Sequence, residues 1–201
     1  ITSYSCADLF MNFSLIEKSN EAIHTLVNRS IGFDMLIVVG APLLHNNNLY
    51  NCAFVIFKGK ILGIIPKSYL PAYNEFYEKR WFTEGLGVID EVVNLDFQKD
   101  IPFSTNLIFR SDIFKFAFEI CEDLWVTIPP SSYLSILGAN IIGNLSASNE
   151  LVSKKDYRNA LISNQSARCM SSYIYSSAGV HESTSDLLFS GHLAYDFLFI
   201  F

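Results

Sequence analysis

The sequence predicts an α/β fold, with sheets packed against helices, on three observations. Apolar or alternating runs of strand length take turns along the chain with segments of helical spacing. No stretch repeats internally and none is of low complexity. Half of the 201 residues are hydrophobic and only 17% are charged, a balance that can bury a core and excludes a disordered tail, a collagen-like repeat or a charged linker. The length suits one domain of roughly 100 to 200 residues. With 14 basic against 20 acidic side chains and a net charge of −6, and no cluster of Lys and Arg, nucleic acid is not an expected partner.

The elements follow in order. Ala22, Ile23, Leu26 and Val27, behind Ser19 and Asn20 as caps, predict a helix over about 20–29. Asp34 to Gly40 is a continuous apolar run, read as a strand covered on both faces that ends in a Gly-Ala-Pro loop. Leu49 to Phe57 and Lys60 to Pro66 are two β-rich runs joined through Lys58-Gly59, hence a hairpin with Lys67 just beyond its second strand. Residues 71–87 are aromatic and charged but irregular, which reads as a functional loop with one helical turn. Ile113 to Cys121 alternates strictly, with Phe114, Phe116, Phe118 and Ile120 on one face and Lys115, Ala117, Glu119 and Cys121 on the other. Pro129-Pro130 stops what precedes it and starts a helix over about 132–137, and Ala139 to Asn144 forms a short buried strand. Ser153 and Asp156 resemble a capping box, and Tyr157, Ala160, Leu161, Ala167 and Met170 at helical spacing give a helix over about 154–171. Tyr173 to Ser177 and Leu193 to Phe201 complete the strands, the last ending on an apolar run that favours association unless covered.

The longest nearly uncharged apolar stretch, Met35 to Leu44, is about half of the ~20 residues that a membrane-spanning helix needs, so no membrane association is expected. Residue 1 is Ile and no basic-then-apolar segment opens the chain, which reads as no signal peptide and a missing start. Cys6, Cys52, Cys121 and Cys169 are widely spaced, without a CxxC pair, so they read as a reduced, cytoplasmic set and not as a disulfide framework or a metal site.

Cys121 carries the chemistry. It ends the clearest strand and is followed at once by Glu122, Asp123 and Trp125, the strand-to-loop placement of a nucleophile. The alternative is an ordinary buried core cysteine. Two adjacent carboxylates repel a thiolate, so a reactive Cys121 calls for a cation, and Lys67 at the hairpin end is the candidate.

Several strings then resemble a known family. Tyr50-Asn51-Cys52-Ala53, Pro66-Lys67-Ser68-Tyr69-Leu70-Pro71, Glu75-Phe76-Tyr77-Glu78 with Arg80-Trp81-Phe82, and Glu119-Ile120-Cys121-Glu122-Asp123-Leu124-Trp125 resemble the carbon-nitrogen hydrolase (nitrilase) superfamily. Pro129-Pro130-Ser131-Ser132, Asn144 to Glu150, Ser166-Ala167-Arg168-Cys169 and Glu182 to Leu187 are similar to the amino-terminal glutaminase domain of glutamine-dependent NAD synthetases. The resemblance runs from about Tyr4 to Gly191.

The resemblance implies a four-layer αββα sandwich, incomplete at the termini, with one partial glutaminase domain over residues 1–201 and the synthetase domain absent. It implies that Cys121 attacks the side-chain amide of L-glutamine, that Lys67 stabilises the oxyanion with backbone N–H groups beside Cys121, and that Glu78 is the second carboxylate orienting the site. Tyr4, Tyr73, Glu122, Trp125 and Ser148 match positions lining the glutamine pocket, Glu122 and Ser148 at the amino acid end, and Lys154 a basic residue near it. Packed aromatics, a turn serine and a solvated acid are the plain alternatives for these. No cofactor is implied in this domain; ATP and Mg belong to the absent synthetase half, as no phosphate loop is present. A homo-oligomer and a cytoplasmic location are implied as well. Two departures stand out. The family's catalytic Glu lies before the position of Ser3-Tyr4, so it is not in this chain, which makes the fragment alone an expected non-catalyst. Ser3 stands where the family has Gly, a less comfortable residue for a left-handed backbone. Rival readings are a stand-alone carbon-nitrogen hydrolase on another small amide and a catalytically silent interaction module.

Overall fold

The computed structural model describes residues 1–197, which fall into two compact units, Ile1–Leu107 and the segment from Ile108 onward. In the first, a 3-10 segment Tyr4–Met11 leads into α1, Phe13–Arg29. The helix is seven residues longer at its start than the apolar spacing predicts, because Asn12 caps it by accepting from the Ser14 N–H. The expected caps Ser19 and Asn20 lie inside it, and Ser19 shares the buried stripe with Ile16, Ile23 and Val27.

Strands β1 (Ile37–His45), β2 (Asn48–Phe57), β3 (Lys60–Pro66), β4 (Glu91–Val93) and β5 (Ile101–Phe103) form one mixed sheet in the order β1-β2-β3-β5-β4. The Lys58-Gly59 hairpin forms as expected, both residues at positive φ as a tight turn matched to strand twist requires. A second hairpin was not anticipated: the predicted Gly-Ala-Pro loop is strand, and Pro42 pairs with Asn51 before the chain turns through Asn46-Asn47, also at positive φ. Pro42 is tolerated because β1 is an edge strand, with no second neighbour to receive an N–H bond. Ile23 and Val27 of α1 pack on Leu43, Phe54, Ile64 and Phe103 of the sheet. Each such side chain contributes roughly 1.5–3 kcal/mol when fully buried.

The second unit holds β6 (Phe109–Arg110), β7 (Lys115–Ile120), α2 (Pro130–Ile136), β8 (Ile141–Ser146), α3 (Lys154–Cys169), β9 (Ser172–Ser177) and β10 (Leu193–Asp196). Its sheet runs β10-β9-β8-β7-β6, with β7, β8 and β9 parallel and the two edge strands antiparallel. Part of the expected strand to Phe201 lies outside the described residues. From Ala117 onward β7 is buried on both faces, so the face expected to be polar places Glu119 in the interior.

Helix α3 corrects two expectations. Ser153 adopts a left-handed backbone and makes no side-chain cap, so the capping box does not form. The buried stripe is Arg158, Ile162, Gln165, Ser166 and Cys169, while Tyr157 and Met170 of the expected apolar face are exposed. A polar stripe can be buried because its members are bonded: Gln165 Nε2 donates to Ser131 and Ser132 Oγ, and Ser166 Oγ to the Ser171 carbonyl.

Candidate functional site

In the first unit the end of β3 hands the chain to Lys67, whose N–H donates to the Asn51 carbonyl of β2 at 2.8 Å. The Lys67 ammonium donates to Glu78 Oε1 at 2.6 Å, and both side chains are 1% exposed. Glu78 begins the 3-10 turn Glu78–Arg80 within the irregular loop, which is the one helical turn expected there. Gly85 donates its N–H to the Lys67 carbonyl, and a Cβ at Gly85 would lie 2.6 Å from Pro66 Cβ and 2.8 Å from that oxygen. Only glycine lets the loop return this close to Lys67.

Tyr4 and Tyr73 meet on one ring: each stands edge-on to Phe76, at centroid distances of 6.3 and 5.7 Å. Ser3 has φ 141°, a backbone region that disfavours a side chain, though not the left-handed helical conformation expected there. Asp8 ties this 3-10 segment to the loop, accepting from Arg80 and from the Trp81 indole at 2.8 Å. Those bonds hold its carboxyl at about 2. Phe10, Leu70 and Phe82 close the contact with an apolar cluster that also takes in Trp81.

In the second unit, Cys121 opens the 3-10 turn Cys121–Leu124 at the carboxyl end of β7. The parallel register sets Ile120, Leu145 and Ser176 side by side, so Cys121 lies at the strand ends that β8 and β9 share, where α/β sheets place ligands. Cys121 is buried, with φ 49°. For a residue with a Cβ the left-handed conformation costs about 1–2 kcal/mol, and such strain concentrates at functional positions. Its own N–H donates to Asn144 Oδ1 at 3.0 Å, so that amide is already committed.

Behind it lies a network that sequence reading missed. Asn144 Nδ2 donates to Tyr173 Oη at 3.0 Å, Tyr173 donates to Glu119 Oε1, and the Ser131 N–H donates to Glu119 Oε2 at 2.8 Å. Burial pushes the Glu119 carboxyl up, against the lowering effect of its donors, and pushes the Tyr173 hydroxyl well up. Strand alternation puts Glu119 on the same face as Cys121, which is the signal the sequence offers.

Among the expected pocket residues, Trp125 lies tilted against Tyr157 with ring centroids 5.5 Å apart, and the Lys154 ammonium stands 5.6 Å above the Trp125 ring and donates to Asn149 Oδ1. Ser148 is buried and accepts from Arg158 Nη1 at 3.1 Å. Arg158, fully buried, also pairs with Glu150 at 2.6 Å and donates to His192 Nδ1. Tyr175 lies beside this group, with the Arg158 guanidinium 5.9 Å from its ring. The Tyr175 hydroxyl is pushed up to about 12, first by burial, while it donates to Ser146 Oγ at 2.6 Å. Glu122 follows Cys121 on the same turn and is half-buried.

No family model matches the chain. Comparison with known proteins finds the glutamine-dependent NAD(+) synthetase of Mycobacterium tuberculosis, 40% identical over 194 residues, 95% of this chain and 28% of that protein. Among solved structures, a glutamine-dependent NAD(+) synthetase from Cytophaga hutchinsonii matches with a TM-score of 0.79 at 26% identity, over 98% of this chain and 30% of that one. Nit3 of Saccharomyces cerevisiae, a nitrilase-superfamily member, matches with a TM-score of 0.70 at 18% identity, over 96% and 64%. The chain thus has the α/β fold of the nitrilase superfamily and is similar, over 95% of its length, to the Mycobacterium tuberculosis glutamine-dependent NAD(+) synthetase, of which it spans 28%.

Proposed function

We propose that this chain is the glutaminase part of a glutamine-hydrolysing NAD synthase. The observation that carries the reading is Cys121, buried, left-handed and seated at the carboxyl ends of parallel strands. Its sulfur attacks the amide carbon of L-glutamine, the thiol proton leaves with the nitrogen as ammonia, and water releases glutamate from the thioester and restores the thiol. Lys67 takes the oxyanion role, and the 2.6 Å bond to Glu78 supports it by fixing where the ammonium stands. A preorganised donor of this kind is worth about 3–4 kcal/mol in the transition state. Tyr4, Tyr73, Glu122, Trp125, Ser148 and Lys154 shape the glutamine pocket. The ammonia serves an ATP- and Mg-dependent amidation elsewhere in the full-length protein, and this half of the reaction needs no cofactor. We place the protein in the cytoplasm as a homo-oligomer; among the described residues no helix is long and apolar enough to cross a membrane.

The test is covalent. A diazoketone analogue of glutamine loses N2 as a thiolate forms a C–S bond, and peptide mass spectrometry of the full-length protein should find the adduct on Cys121, suppressed by glutamine, with Cys52 and Cys169 unmodified. Alkylation of Cys121 by chloroacetamide without any reaction of the glutamine analogue points to a carbon-nitrogen hydrolase for another amide. An inert Cys121 overturns the enzyme reading.

A further inference from the structure

The geometry points to Asn144 as a positioning residue that aims the Cys121 thiol, with Tyr173 and Glu119 fixing which way Asn144 faces. This deepens the glutaminase reading and rests on it. A left-handed residue at a strand end needs something to hold its peptide, and the Cys121 N–H has Asn144 Oδ1 as its acceptor at 3.0 Å. An amide side chain can be turned by half a revolution, which would present Nδ2, a donor, to that N–H. Here the turn is blocked: Nδ2 has Tyr173 Oη at 3.0 Å, and the Tyr173 hydroxyl proton is directed away to Glu119 Oε1. Glu119 is in turn held by the Ser131 N–H at the start of α2. Every bond thus has a fixed direction, the donations running inward from Cys121 and from Ser131 to Glu119, which accepts from both sides, and the side chains of Glu119, Tyr173, Asn144 and Cys121 are all buried. Water cannot stand in for a missing member without opening the interior. The backbone beneath Asn144 is equally constrained, since a Cβ on Gly143 would lie 2.6 Å from the Phe118 ring. The bond from this group to Cys121 is made at its backbone N–H, so the effect reaches the substrate through where the sulfur points.

The experiment compares Asn144→Leu, Asn144→Asp and Tyr173→Phe in the full-length protein. Leu keeps the branched shape and removes the acceptor, Asp keeps an acceptor for the Cys121 N–H, and Phe keeps the packing but frees the amide to turn. A misplacement of the order of an ångström costs about 100-fold in rate, so Asn144→Leu should lose about 100-fold in kcat for glutamine hydrolysis with KM changed less than about threefold. Tyr173→Phe should lose about 10-fold in kcat, and Asn144→Asp should recover most of the Leu loss. Folding is checked by thermal unfolding, and Tyr173→Phe carries the test where Asn144→Leu does not fold. Chloroacetamide alkylation of Cys121 in the same variants is the readout that does not need glutamine. Slower alkylation with no glutamine turnover even in the parent protein would retain the positioning role and sink the glutaminase reading. Unchanged kcat and unchanged alkylation in a folded Tyr173→Phe or a folded Asn144→Leu, or a KM effect alone, would overturn the positioning role.

Discussion

Single side chains in this protein show how far burial reorganises ordinary chemistry. Glu119 sits in the strand face with Ala117 and Cys121, and its carboxyl is pushed up from 4.5 by burial, against the lowering bonds of Tyr173 and Ser131. A raised carboxyl holds its proton in the folded chain at pH values where the unfolded chain has released it. Its contribution to stability is thus fully present below about pH 4.5 and is lost as the pH rises through the folded value. Glu119→Gln does not titrate, so the stability of the parent chain minus that of the variant should fall as the pH rises above about 4.5. Urea unfolding across that range checks the sign; a difference that is flat or rises would mean the donors outweigh burial. Asp8 is the opposite case on the surface, where Arg80 and Trp81 hold the carboxyl at about 2, so its tether is lost only as the pH falls from 3.8 towards that value. Cys121 was legible because strand alternation and two following acids mark a strand end. Arg158 was not, because its partners Ser148, Glu150 and His192 come from two other stretches of chain.

At the level of elements, helix α1 separates what a sequence pattern can place from what packing decides. Apolar spacing found its second half, yet its start depends on one bond, from the Ser14 N–H to Asn12 Oδ1. Ser19, which reads as a cap, instead lies 2% exposed in mid-helix, and its hydroxyl has no hydrogen-bond partner. The two residues therefore predict opposite effects of the same substitution. Asn12→Ala should cost about 1 kcal/mol by removing the cap. Ser19→Ala should stabilise by about 1 kcal/mol, because it deletes an unsatisfied buried hydroxyl and installs the best helix former. Denaturant midpoints of the two variants decide it, and a destabilised Ser19→Ala would mean that the hydroxyl has a partner when the protein is in solution. The same division explains β1 and α3. Pro42 looked like a strand end because a proline breaks an interior ladder, and only the sheet order, which puts β1 at the edge, removes the objection. The buried stripe of α3 is polar, so hydropathy alone points to the wrong face until the bonds to Ser131, Ser132 and Ser171 are known.

For the molecule as a whole, each unit supplies different chemistry: the first holds a buried ammonium fixed by a carboxylate, the second a cysteine of strained backbone beside a bonded polar interior. The proposed function joins these parts to an amidation carried out elsewhere in a longer protein, and a single atom tests that division of labour. Cys121→Ala removes the sulfur and leaves the Asn144 bond to the residue 121 amide available. On the proposed reading, ammonia is the only product of glutamine that the amidation consumes. Glutamine-driven NAD formation by the full-length protein should then fall by at least about 1000-fold, the scale of losing a covalent nucleophile, while formation driven by added ammonia salt stays within about twofold of the parent. Equal loss of both activities would show that residue 121 serves the amidation itself, and the two steps would have to be reassigned. Equal retention would mean that another group opens the amide, and Cys121 would revert to a buried core cysteine whose strained backbone has a purely structural origin.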